Sequence, residues 1–200
     1  MTLRVLVVLV VLLTAGRTIH AEPQRPEAVI RSAVQQALQV LRDPELRSPE
    51  RRSERVAKLR SIADGVFDWR AMAQSSLGAS WRKLDDSQRA EFVDVFTRLL
   101  AREYIQDLDR FTGHEEVVVQ RERAQPPLYI VDTTLTTASH ERVPINYVMQ
   151  LEEERWAGVD VEIQGVSLVN HYRATFRRFL VNHPFDALLE RLRGALPSQP

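Results

Sequence analysis

The sequence predicts an α+β fold: N-terminal helices packed on a twisted four-stranded antiparallel sheet, followed by a C-terminal helix. Three observations predict it. Apolar residues recur at helical spacing from residue 27 to residue 111. From residue 117 to 164 the period drops to two, in four separate runs. At 156–179 an alternating run passes through Gly165 into an amphipathic segment. There Val166, Val169, Tyr172, Phe176 and Phe179 or Leu180 recur at three- and four-residue steps. Helices first and strands second segregate the two element types, as α+β folds do.

The elements follow in order. Residues 27–42 put Val29, Ile30, Ala33, Val34, Ala37, Leu38 and Leu41 on one side of a helix that Pro44 ends. A charged helix begins near Pro49 and runs to about Ala63, with Val56, Leu59 and Ile62 inward. A short helix over 67–77 stops at Gly78. Asp85 caps a long helix reaching Phe111, with Phe92, Val95, Phe96, Leu99, Leu100, Tyr104 and Leu108 on its buried face and Gly113 beyond its end. Strands are expected at 117–123, 128–137, 143–152 and 156–164, joined by short turns and hence antiparallel. Val159, Val161 and Ile163 share one side of the last strand, and Ser167 caps the closing helix. That helix is expected to fold back over the sheet, either closing a core or roofing a cavity. Periodicity alone does not separate the two.

Length and composition bound the class. Two hundred residues suit one domain with its own core, here residues 22–196, with 197–200 a frayed tail. Arg4, the apolar run 5–15 and Ile19-His20-Ala21 form a secretory signal peptide, residues 1–21, too short in its apolar part to span a bilayer. The chain carries 27 basic and 27 acidic residues, and loss of Arg4 and Arg17 leaves 25 against 27. That near-neutral balance argues against nucleic acid as a partner. Cysteine is absent, so thiolate metal sites and disulfides are unavailable. An exported chain without disulfides fits a bacterial periplasm.

Catalytic signatures are sparse. His114, His140, His171 and His183 stand apart, without metal-ligand spacing, and read as surface histidines. Gly165-Val166-Ser167-Leu168-Val169 lies where a hydrolase nucleophile elbow would lie. Its last position is not glycine, and a helix cap accounts for Ser167 more simply. Glu152-Glu153-Glu154 reads as a solvated hairpin. These absences favour a binding or carrier protein over an enzyme.

Two segments carry a resemblance. One is Leu77-Gly78-Ala79-Ser80-Trp81-Arg82, with Ser87-Gln88-Arg89 and the aromatic helix of Phe92, Phe96, Leu99, Leu100 and Tyr104. The other is Trp156, then Asp160-Val161, Ile163 and Gly165-Val166-Ser167-Leu168-Val169, with Tyr172-Arg173 and Phe176; Val131-x-Thr133 lies between the two. In this order the pieces resemble the MlaC family, the toluene-tolerance or ABC-transporter auxiliary periplasmic proteins, from about residue 26 to 192.

The resemblance implies a soluble periplasmic carrier with acyl chains held in an apolar cavity between sheet and helices. It implies lipid passing between an outer-membrane lipoprotein complex and an inner-membrane ABC transporter with an MCE-domain subunit. It brings phospholipid as cargo and no cofactor. A hopanoid-associated branch of the family leaves a second cargo open. Many relatives carry bulkier residues where this chain has Gly158-Val159, a departure expected to widen or reshape the cavity.

Two tails of roughly fifteen methylenes are worth on the order of 24 kcal/mol when removed from water. They need a dry site on the order of 800 Å³. A deep cavity is therefore expected, lined by Phe96, Leu100, Tyr104, Tyr129, Val131, Ile145, Tyr147, Met149 and Val161. Release from so favourable a site requires a partner, with the 172–180 helix and the loop before it as movers. An enzyme on a cone-shaped α+β fold would instead need a buried His or Asp base facing the cavity. A pure adaptor would have a filled core.

Overall fold

A computed structural model of the chain describes residues 25–105, 111 and 113–196. The expected signal peptide, Leu108 and the tail 197–200 lie outside them. The order is α1 (Pro26–Arg42), α2 (Arg52–Val66), α3 (Trp69–Leu77), α4 (Asp86–Leu100), β1 (Glu116–Gln125), β2 (Leu128–Thr136), β3 (Arg142–Glu152), β4 (Arg155–Ile163), β5 (Val166–Ser167), α5 (Leu168–Leu180) and α6 (Phe185–Ala195).

The sheet has five strands, not four, in the antiparallel order β1-β2-β3-β4-β5. Gly165 does not send the chain straight from strand to helix. Gln164 and Gly165 both take positive φ, 52° and 80°. That is the mirror-image turn whose twist matches a hairpin. Val166 and Ser167 therefore pair back onto Ile163 and Glu162 before α5 begins. Ser167 still caps α5, its Oγ accepting the Asn170 N–H at 3.0 Å.

The helices differ from expectation at their ends. Phe67 and Asp68 are extended rather than helical. Asp68 caps α3 by accepting the Ala71 N–H at 2.8 Å, and the Asp68 N–H donates to the Gly158 carbonyl at 3.0 Å. Asp85 and Gln88 close a capping box at the start of α4. The α-helix passes at Leu100 into a π turn, Ala101–Ile105, and the rest of the expected helix, 106–110, lies outside the described residues. A second C-terminal helix, α6, was not expected. Phe185, Leu188, Leu189 and Leu192 give it a helical stripe that the sequence displays.

Burial divides into two clusters. Phe92, Phe96, Leu100, Tyr172, Phe176 and Leu188 belong to a helical core built by α3, α4, α5 and α6. Ile30 and Val66 close a second core with Val131, Met149 and Trp156 of the sheet. No strand residue is among the buried members of the first cluster. The apolar stripe of α5 thus packs into the helical core, against α3 and the Phe92 and Phe96 rings of α4. Phe67, partly buried, packs against both clusters and joins them.

The two faces of the sheet differ in chemistry. Register sets Arg121, Asp132, Asn146 and Glu162 in one row across β1 to β4. Arg121 and Arg123 converge on Asp132 at 2.7–2.8 Å, and Asn146 donates to Glu162 at 3.2 Å. The opposite face is apolar, and it carries the candidate site.

Candidate functional site

Cross-strand pairing assembles that face from alternate residues. Tyr129 faces Met149, Val131 faces Tyr147, and Tyr147 faces Val161. Thr133 faces Ile145, and Ile145 faces Ile163. Six of the nine expected lining residues thus share one surface: Tyr129, Val131, Ile145, Tyr147, Met149 and Val161. Phe96, Leu100 and Tyr104 do not join it, since Phe96 and Leu100 are buried in the helical cluster and Tyr104 packs against that cluster. The 3.6-residue period showed that these three leave water, but not what they meet.

The face is closed at one end and half-covered at the other. At the closed end Val131 and Met149 are fully buried with Ile30, and the Tyr129 and Trp156 rings meet edge-on with centroids 4.7 Å apart. At the other end Val117, Leu135, Val143, Ile145 and Ile163 remain partly exposed and belong to neither buried cluster. Register keeps them adjacent: Val117 opposite Leu135, Leu135 opposite Val143, Ile145 opposite Ile163. Tyr147 stands at the divide, where burial pushes its phenol up to about 12. An enclosed apolar cavity is not shown among the described residues. An open depression of about 840 Å³ at the β3–β4 turn is lined by Glu152, Glu153, Glu154 and Arg155, a charged rim unsuited to acyl chains.

Two features of this face escaped the sequence. A bulge shifts the β3–β4 register, with Val148 opposite Asp160 and Met149 opposite Gly158, which leaves Val159 unpaired and out of the expected alternation. Gly158 takes its place on the face, and Phe67 fills the room beside it. A Cβ built on Gly158 would lie 2.6 Å from Phe67 Cδ1. The Gly158-Val159 departure therefore reshapes the site by admitting an aromatic ring from the α2–α3 junction, and it opens no extra space there. The Phe67 ring also meets Trp69 and Tyr147, with centroids 5.1 and 6.4 Å apart.

Polar groups near the site hold structure together. Asp160 accepts the Val161 and Val169 N–H groups at 2.8 and 3.0 Å, and the Ser167 hydroxyl donates to its other oxygen. This ties β4 to the first turn of α5 and engages Ser167 as its cap. Glu122, the acid on the apolar face of β1, receives the Glu27 N–H at the start of α1. Tyr172 donates to Glu103 of the π turn; burial and that hydrogen bond both hold its phenol well above the usual range. His114, His140, His171 and His183 are exposed, and no group of three or more acidic or histidine side chains among the described residues could hold a metal.

An antiparallel sheet with a half-covered apolar face and a separate helical core defines the class: an α+β fold. The family model described as MlaC protein matches residues 31–194, and the chain belongs to the MlaC family. A solved phospholipid-binding protein from Ralstonia solanacearum, in complex with a phospholipid, superposes with a TM-score of 0.74. It is 22% identical, and the match covers 86% of this chain and 96% of the other. No curated protein matches the sequence.

Proposed function

We propose that this protein is a phospholipid carrier of the periplasm that moves lipid between outer- and inner-membrane complexes. The half-covered apolar face at Ile145 carries this reading: it is an apolar surface that folding has not buried, in a family whose solved relative holds a phospholipid. Acyl chains lie along Ile145, Leu135, Val143 and Ile163, beyond Tyr147, while the head group stays in water. Each methylene so covered contributes about 0.8 kcal/mol. The face offers mainly apolar, threonine and tyrosine side chains, and its acid Glu122 is taken up by the Glu27 N–H at the start of α1, which favours carriage over catalysis.

Release needs help from outside. An outer-membrane lipoprotein complex and an inner-membrane ABC transporter with an MCE-domain subunit are the proposed partners. The 172–180 helix is a poor mover, because Asp160 ties its start and Phe176 is buried among aromatics. Residues 1–21 serve as the export signal.

Native mass spectrometry of the mature protein purified without detergent, followed by lipid extraction, tests the reading. The expected result is a bound mass of a two-chain phospholipid. A hopanoid mass would reassign the cargo. A bare protein that takes up no lipid from vesicles, even beside the transporter, would sink the carrier.

A further inference from the structure

We propose that the exposed side of α5, from Arg177 and Arg178 to Val181, docks onto an anionic lipid bilayer. The proposal rests on the carrier reading for its purpose and on separate residues for its evidence.

Charge along the helices is the first observation. Helices α1, α2 and α4 neutralise cations along their own length, through Arg31–Glu27, Lys58–Glu54 and Arg98–Asp94. α5 has no acid with which to do so: residues 163–185 contain no Asp or Glu. Arg177 and Arg178 are exposed and have no carboxylate partner within 4.0 Å among the described residues. Arg173 is already engaged, its Nε donating to the Ser75 carbonyl at 2.7 Å. In a chain whose basic and acidic residues balance at 27 each, this is a local cationic face.

The second observation is apolar exposure in the same place. Val181 is 75% exposed, the most exposed of the large hydrophobic residues among the described residues. It lies three and four positions after Arg178 and Arg177, which sets all three on one stretch of helix surface. Phe179 and Leu180 beside it are half-exposed. The Arg191 guanidinium sits over the Phe179 ring at 5.3 Å and adds a cation to the same end. Arginines ringing an aliphatic tip suit the head-group boundary of a bilayer: the charges meet phosphate and the valine enters the acyl edge. An acidic protein surface would complement the arginines and leave Val181 unexplained.

The opposite side of α5 fixes its posture. Tyr172 and Phe176 pack against Phe96 and Phe92, so the basic side must face outward. The helix that closes the helical core is thus the one that presents the docking face.

Flotation with vesicles tests it, comparing equal parts phosphatidylglycerol and phosphatidylcholine with phosphatidylcholine alone. Wild-type protein is expected to bind the anionic vesicles preferentially. Binding should fall as salt rises from about 0.1 M to about 1 M, where screening shortens from about 10 Å to about 3 Å. The R177E/R178E variant should bind at least about tenfold more weakly, and V181D should also lose binding at low salt. R177Q/R178Q should fall between wild type and the reversal. All these side chains are exposed, so circular dichroism should be unchanged. Wild-type binding that is absent, equal on both vesicles or insensitive to salt would overturn the proposal. So would capture by an acidic protein alone. Native mass spectrometry of R177E/R178E separates the two readings: retained phospholipid with lost flotation fits docking, whereas an empty wild type that still floats counts against the carrier only.

Discussion

Gly158 and Phe67 show how one missing side chain shapes the site. The close approach of the Phe67 ring leaves no room for a Cβ at Gly158. Gly158→Val is expected to destabilise by about 1–3 kcal/mol through overpacking. In denaturant unfolding, Phe67→Ala with Gly158→Val should cost clearly less than the sum of the two single changes. Simple additivity would mean that the contact is not what glycine protects. Asp132 makes a second residue-scale case. It is buried, and hydrogen bonds from Arg123 first and Arg121 second hold its carboxyl below the usual range, against the opposing effect of burial. A lowered folded value means that its stabilisation is present above the unfolded pKa of about 3.9 and is lost as pH falls through the folded value. Asp132→Asn should therefore flatten the acid limb of the stability profile. An unchanged limb would assign acid unfolding to other carboxylates.

At the scale of elements, α5 depends on one carboxylate from β4. Asp160→Ala removes two acceptor bonds to backbone N–H groups and one to Ser167, with an expected cost of about 1–3 kcal/mol. Hydrogen exchange should quicken at the Val169 and Asn170 amides and leave β2 unchanged; exchange raised everywhere would mean that the tie is not local. Alternation of Tyr129, Val131, Thr133 and Leu135, and the stripe of Phe92, Phe96 and Leu99, made most of these elements legible in the sequence. α6 was equally legible in Phe185, Leu188, Leu189 and Leu192. The π turn after Leu100 was not: Tyr104 keeps an acceptable helical spacing, and the change of ladder leaves no mark in residue type. The bulge at Val159 was hidden for a similar reason, since an apolar residue there fits either face.

For the whole molecule, the question is which apolar surfaces stay open to cargo. Met149 is fully buried against Ile30, Val131 and Trp156, so Met149→Trp should overpack that core and destabilise by about 1–3 kcal/mol. It is a fold mutant rather than a cargo mutant. Ile145→Trp fills the half-covered end instead. It should reduce phospholipid recovered by extraction while leaving the melting temperature within a few degrees. Wild-type lipid content in folded Ile145→Trp would place the acyl chains elsewhere. By itself the sequence determined the segregation of helices from strands, the alternating apolar face of Tyr129 to Leu135, the cap at Ser167 and the order of motifs that resembles the family. Only the tertiary structure decided that Phe96 and Leu100 belong to a separate helical core, that the apolar stripe of α5 joins that core, and that Phe67 fills the space beside Gly158. Periodicity records that a side chain leaves water; which neighbour receives it depends on contacts between residues far apart in the chain, and no local pattern encodes those.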